Sequence, residues 1–499
     1  MPKPDPKKIN LKTTFIRGAA WSMGMRWSIK FLGLISTVIL ARLLTPADYG
    51  IVTMAMLVVG VVQVLVDFGA DTNVLRHQHL TTNLIDSAWS LRILQGWIVA
   101  LALAVIAPFA GGYFQQEKVV PIIWVISGAL LLTSFTNIGM TVARKEFQFG
   151  LEYRFNVYSK ILGVAVTLAA AYFLRDYRAL VIGIVTGSLS RLVLSYLMHP
   201  HRPRWNTSEI RSMWHFSKWL LVSGIGRYAT KNADQIIAGR IGDAHTLGVY
   251  HVAADIGQMP TGELGPPIMR AFLPTLSAMK DNRGRVSAAV LKTFSAVNTL
   301  TLAVGLGFFA VSELLTTVLL GAKWTEATPY LAIFALVGTI RTSVTPFQGM
   351  LLLEGKSKTH AYLMWVELAA FLVAAALLTP HYGIIGLAYA RLFSVFAFMV
   401  SSIRTAHLQL GILYERIFQS IWRPLVCAIL MVVLLRYVPE AFEQDFLNLI
   451  VKIIVGGIFY LSAILLTWQI AGKPDGIEEM ARSAAIATWK KLVSRQQQR

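Results

Sequence analysis

Cysteine is almost missing: Cys427 stands alone among 499 residues, which excludes a disulfide-stapled secreted scaffold. Charge is scarce too. Only 14% of the residues are charged, where soluble proteins carry about 25%. Acidic side chains are the scarcer kind, 26 against 46 basic ones, leaving a formal net charge of +20. Enzyme signatures are also wanting. No Asp-x-Asp pair offers a metal site for sugar transfer. Gly355-Lys356-Ser357 resembles the end of a phosphate-binding loop, but Met350 stands where its first glycine belongs. His77-x-His79 and His199-x-His201 have no cysteine or carboxylate at ligand spacing, so loops explain them better than zinc does. No metal and no cofactor is expected.

What is present is apolar. Hydrophobic residues make up 55% of the chain and mean hydropathy is +0.57. They fall into runs of roughly 18 to 25, the length a helix needs to cross about 30 Å of hydrocarbon. The fold class is therefore an all-α polytopic membrane protein. Fourteen spans are expected: 15–41, 48–67, 87–110, 119–142, 154–174, 178–198, 214–239, 245–269, 288–311, 327–353, 360–378, 383–404, 418–436 and 447–470. No small-residue cleavage pattern follows the basic stretch Met1–Asn10, so the first apolar segment is expected to be retained.

Lys and Arg test that count. With charges at span edges assigned to the loops they border, 25 fall on the side of the N-terminus and seven on the other. The positive-inside rule then places both termini in the cytoplasm. The seventh span is the polar one, with Arg227, Lys231, Asn232 and Asp234, yet omitting it would move Lys280, Arg283 and Arg285 outside. Scattered over membrane-proximal loops, the basic residues do not suit nucleic acid. The tail 471–499 carries Trp489, Lys490 and Lys491 and reads either as an interfacial helix on anionic lipid or as a solvated tail.

The two halves echo each other. Ala41-Arg42-Leu43 precedes Gly50-Ile51-Val52 by the same spacing as Gly239-Arg240-Ile241 precedes Gly248-Val249-Tyr250, an offset of 198 residues or six spans. An even number of spans gives both halves one orientation, a parallel repeat. The expected domains are a basic N-terminus at 1–14, a six-helix bundle at 15–198, a basic linker at 199–213 and a second six-helix bundle at 214–404. Two extra helices at 418–470 and the tail complete the chain, with a central cavity between the bundles.

Ionisable residues deep in such helices cost about 2.5–3.5 kcal/mol each and need a partner or a cavity. Arg26 and Lys30 lie four apart on one face of the first span, and Arg227, Lys231 and Asp234 share a face of the seventh. The leading helix of each half thus bears a cationic stripe, suited to an anionic ligand in a shared cavity. Snorkelling to the headgroups is the competing reading and suits Arg17, Lys160 and Lys218 near span ends. Arg341 and Arg391 are further cavity candidates. A proton-coupling carboxyl must be neutral in one state and ionised in another. Asp255, with His251 one turn earlier, and Glu367, in an otherwise apolar span, are the candidates. Asp234 is a poorer one, because Lys231 beside it makes it an ion-pair partner.

The stretch Ala41-Arg42-Leu43-Leu44-Thr45-Pro46-Ala47-Asp48-Tyr49-Gly50 resembles the polysaccharide transporters. These belong to the superfamily that also holds multidrug/toxin extruders and oligosaccharidyl-lipid exporters. The likeness continues at Asp67-Phe68-Gly69-Ala70, Asp234-Gln235-Ile236-Ile237-Ala238-Gly239-Arg240, Leu247-Gly248-Val249-Tyr250 and Phe272-Leu273-Pro274-Thr275-Leu276-Ser277. Gly321-Ala322-Lys323-Trp324 and Leu353-Glu354-Gly355 fit as well. The resemblance implies a flippase that turns undecaprenyl-diphosphate-linked oligosaccharide across the bacterial inner membrane by alternating access, for exopolysaccharide, capsule or lipopolysaccharide synthesis. It implies a polysaccharide polymerase and chain-length machinery as partners, and places Arg42 and Arg240 in periplasmic loops. Arg26, Lys30, Arg227, Lys231 and Arg341 would meet the diphosphate, an assignment that rests on spacing alone. A drug/cation extruder should have an acidic or aromatic cavity, and a glycan polymerase or ligase a large periplasmic loop. The faces of the first and seventh spans are cationic instead, and neither a large periplasmic loop nor a catalytic carboxylate cluster is found in the sequence.

Overall fold

The computed structural model describes residues 11–472, except 68, 78, 79, 278, 280 and 281. The tail 473–499 and its expected interfacial helix lie outside the described residues, as does most of the basic N-terminus. All regular structure among the described residues is helical. Among the described residues, eleven helices are long and apolar enough to cross a membrane, or twelve if one bent pair counts as a single span. The protein is an all-helical, multi-pass membrane protein.

Contacts divide the chain into two compact units, Met1–Val249 and Tyr250–Arg499. The first holds α1 (Leu11–Leu43), α2 (Pro46–Leu65), α3 (Ala70–Arg76), α4 (Thr82–Phe114), α5 (Val119–Ser134), α6 (Gly139–Lys145), α7 (Phe149–Leu174), α8 (Arg178–Met198), α9 (Ile210–Ile241) and the start of α10 (Ala244–Gly262). The second continues with α11 (Gly265–Ser277), α12 (Arg283–Ala310), the short α13 (Ser312–Leu315), α14 (Thr328–Ser343), α15 (Thr345–Leu353), α16 (Ser357–Tyr382), α17 (Ile384–Leu410), α18 (Tyr414–Tyr437) and α19 (Asp445–Ile470). α9 and α10 are not among the twelve apolar candidates. α9 carries Arg227, Lys231 and Asp234, and α10 carries Asp255 and Pro260.

The motif Thr45-Pro46-Ala47-Asp48 has a local cause. Thr45 caps α2 by accepting the Asp48 amide, and the Asp48 carboxylate accepts the Thr45 amide at 2.9 Å in return. Pro46 takes the first helical position, where its missing N–H costs nothing. The other Asp48 oxygen accepts the Tyr177 amide and so ties the α7–α8 connection to this cap. At the start of α10 Asp243 does the same work, accepting the Thr246 amide at 2.8 Å and its hydroxyl at 2.7 Å. Those two bonds hold the Asp243 carboxyl below its ordinary range.

Where α2 and α10 start, backbone meets backbone. A Cβ on Gly50 would lie 1.6 Å from the Ala244 carbonyl oxygen, and one on Gly248 would lie 1.8 Å from that of Pro46. Only glycine permits that approach. α2 also packs on α4, α5 and α9. Tyr228 of α9 lies over Gly60 and donates its hydroxyl to the Leu57 carbonyl at 2.6 Å.

Between α5 and α6 the helix breaks and bends by 61°. Broken backbone at this depth must find partners inside the protein. The Phe135 carbonyl accepts from the Tyr196 hydroxyl at 2.9 Å, and the Thr136 carbonyl from Arg92 at 3.1 Å. Asn137, fully buried, receives the Gly139 amide on its side-chain oxygen and donates its Nδ2 to the His201 carbonyl. The linker after α8 is thereby pinned to this break, with Asn206 and Glu209 donating backbone N–H groups to Ser90 and Ser87 of α4. Burial holds the His199 imidazole below its ordinary value.

In the second unit α12 packs on α14 and α18, and α16 on α17. The core there centres on Phe294 stacked on Phe347, with ring centroids 4.8 Å apart. α19 is fastened to α12 by the Tyr460 hydroxyl, which donates to the Thr299 carbonyl at 2.7 Å.

Candidate functional site

In the first unit, α1 leans on α7 through Trp21, Met25 and Ser28. Trp21 packs edge-on against Tyr153, Ser28 lies 3.2 Å from the Tyr153 hydroxyl, and Met25 sulfur accepts from Asn156. This leaves Arg26 and Lys30 exposed. α9 turns Tyr228 and Thr230 toward its neighbours and likewise leaves Arg227 and Lys231 exposed. α1 and α9 therefore each carry two exposed cations a turn apart. Asp234 is 2% exposed, with one carboxylate oxygen accepting the Gln235 amide. Asp255 is exposed on α10, one turn from the half-buried His251.

The second unit joins three residues that lie far apart in sequence. Glu367 of α16, 1% exposed, pairs with Arg341 at the end of α14. Arg391 of α17, 4% exposed, has a guanidinium nitrogen 3.8 Å from the same carboxylate oxygen. Arg391 also lies 5.9 Å from the centroid of the buried Phe371 ring. The expectation that Glu367 stands in apolar surroundings needs correction. Its helix is apolar, but its neighbours in space are two guanidiniums. One carboxylate thus lies between two guanidiniums brought together by α14, α16 and α17. Arg341 is the less buried member.

Sequence reasoning missed Arg92. It sits on α4 and donates to the Thr136 carbonyl, while also contacting Asp71 of α3 and Thr141 of α6. Asp71 in turn accepts from the Thr141 hydroxyl at 2.8 Å. A lone arginine in an apolar run is the signal that could have found it. Arg240 lies with its guanidinium 5.7 Å from the Tyr113 ring centroid, which suits a role in fixing a loop. Among the described residues no group of three or more His, Cys, Asp or Glu is arranged to hold a metal ion.

Comparison with known proteins follows this geometry. The family described as "Polysaccharide biosynthesis protein" matches residues 39–329. The chain is 22% identical over 352 residues to the lipopolysaccharide biosynthesis protein WzxC of Escherichia coli, covering 70% of this chain and 72% of that one. It is 23% identical to the teichuronic acid biosynthesis protein TuaB of Bacillus subtilis, covering 89% and 94%. With the succinoglycan biosynthesis transport protein ExoT of Rhizobium meliloti it shares 22% identity over 92% and 94%. Among solved structures, a lipid II flippase MurJ in an inward closed conformation superposes with a TM-score of 0.74 at 11% identity, covering 91% of this chain and 99% of that one. An inward-facing multidrug resistance MATE transporter gives a TM-score of 0.56 at 14% identity, with 79% and 94% covered. At such identities these two likenesses establish the fold.

Proposed function

The chain belongs to the polysaccharide biosynthesis protein family, and from that membership we propose that it is a flippase for undecaprenyl-diphosphate-linked oligosaccharide. It would work by alternating exposure of a cavity in the bacterial inner membrane, with both termini cytoplasmic, and supply units for a surface polysaccharide. The observation that carries this reading is the sign of the charge. Arg26 and Lys30, exposed on α1, and Arg227 and Lys231, exposed on α9, can replace part of the hydration an anionic diphosphate loses in hydrocarbon. Arg341, held by Glu367, adds a further donor. An organic cation would find these groups repulsive.

In this reading α9 and α10 span, which brings the helices to fourteen, and the halves form a parallel repeat. The caps support the repeat: Thr45 and Asp48 recur at the 198-residue offset as Asp243 and Thr246 with their roles exchanged. The reciprocal contacts of Gly50 on Ala244 and Gly248 on Pro46 share that offset, as expected of paired elements around a twofold axis. Asp255 with His251 is the proposed proton site, and the buried Asp234 the alternative.

Arg26→Ala and Arg227→Ala are each expected to lower polysaccharide export at least tenfold (about 1.4 kcal/mol), with the protein's abundance in the membrane unchanged. Arg→Lys at either position should retain part of the rate, since charge survives but the paired hydrogen bonds do not. Export by both alanine variants at the parental rate would refute the assignment, which abundance and export measured side by side in an exporter-deficient host decide.

A further inference from the structure

Besides the exposed cations, the first unit contains a cleft between α2, α4, α5 and α9, of about 420 Å³. Its lining includes Gln63, Asp67, Gln95 and Tyr228 on walls supplied by Val64 and Val99. The polar groups differ in what they leave open. Gln95, which lines the cleft, donates its Nε2 to the Val66 carbonyl at 3.2 Å, and among the described residues its amide oxygen accepts no hydrogen bond. Asp67 accepts the Gly69 amide on one oxygen and keeps the other. The Tyr228 hydroxyl is spent as a donor on Leu57 and retains its lone pairs. Gln63 is exposed and, among the described residues, its amide has no partner. Arg92 also borders the cleft, but its guanidinium is engaged by Thr136, Asp71 and Thr141.

The open groups are thus mainly acceptors, with the Gln63 amide and the second Nε2 hydrogen of Gln95 left to donate. A phosphate is itself all acceptor and would gain little here. A sugar suits the same groups well: its hydroxyls donate to carbonyl, carboxylate and phenol oxygens, one hydroxyl oxygen takes the Gln63 amide, and its C–H faces rest on valine. We propose that this cleft is a saccharide subsite, binding the neutral hydroxyl-bearing part of the cargo apart from the cationic groups that meet its diphosphate. The proposal rests on the flippase reading and names which part of the substrate each region recognises. It places Gln63 and Gln95 as specificity-determining residues.

Occupancy can be read without transport. In protein with Cys427→Ser and Val64→Cys, which keeps Gln63 and Gln95, reconstituted in nanodiscs, the rate of maleimide labelling is measured with neutral disaccharides or with inorganic pyrophosphate present. Disaccharide should slow labelling at least threefold, and pyrophosphate should leave it unchanged. Protection by pyrophosphate alone, or equal rates throughout, overturns the subsite. Export by a Gln63→Leu/Gln95→Leu variant is measured alongside and should fall about tenfold, while export at the parental rate counts against the subsite. If the parent chain itself restores no export, the flippase reading fails independently of the labelling result.

Discussion

Glu367→Ala is expected to destabilise the folded protein by about 3–5 kcal/mol, the usual consequence of removing one partner from a buried ion pair. The loss is large because Arg391 is 4% exposed and would lose the Glu367 carboxylate from its surroundings. Arg341 can reach toward solvent, whereas Arg391 is enclosed by α14, α16 and α17. Removing the buried partner as well should restore most of the stability, because apolar side chains of similar size often replace a buried pair at little cost. Glu367→Met with Arg391→Met is therefore expected to unfold near the parental temperature, and Glu367→Ala well below it, when melting is followed in detergent. A Glu367→Gln protein that melts like the parent, yet loses its response to an imposed pH gradient, would return Glu367 to the coupling role.

Gly50→Ala and Gly248→Ala should each abolish accumulation of folded protein or its transport, although a single methyl group is added. The groups in the way are the backbone carbonyls of Ala244 and Pro46, at 1.6 and 1.8 Å, which cannot rotate aside as a side chain would. Overpacking of this kind costs about 1–3 kcal/mol, and more when backbone must shift. Since the two contacts form one crossing, the double variant should be little worse than either single one. Gly128→Ala on α5 provides the control: nothing lies within 4 Å of its added Cβ, and no loss is expected. Normal accumulation and export by both variants would mean that α2 and α10 do not cross here as described.

Much of the scaffold was legible in the sequence because a membrane imposes a single length scale. Runs long enough to span stand out, and the expected spans fall largely on helix, although 119–142, 245–269 and 327–353 each cover two helices. The short helices α3, α6 and α15 were not legible. Seven to nine residues leave no run to detect. Nor was the break at Phe135–Ile138, since Thr133, Ser134 and Thr136 are tolerated in a membrane helix and the partners of Asn137 lie on α8 and the linker. Charged candidates could be listed but not paired. Glu367 looked isolated because Arg341 and Arg391 are distant in sequence and become neighbours only when α14, α16 and α17 pack. The cationic stripes on α1 and α9 were visible because residues four apart share a face. The cleft with Gln63 and Gln95 was hidden, since neutral amides cost far less in a helix than charges and draw no attention.

The central claim is that this chain moves a lipid carrying an anionic diphosphate and a sugar, and it is tested most directly in vesicles holding only the purified protein. Undecaprenyl-diphosphate oligosaccharide would be placed in one leaflet and its arrival in the other followed, beside a quaternary ammonium dye as cationic cargo. The account predicts that the lipid-linked saccharide crosses much faster than in protein-free vesicles while the dye does not. Dye transport with no movement of the lipid-linked saccharide would contradict it.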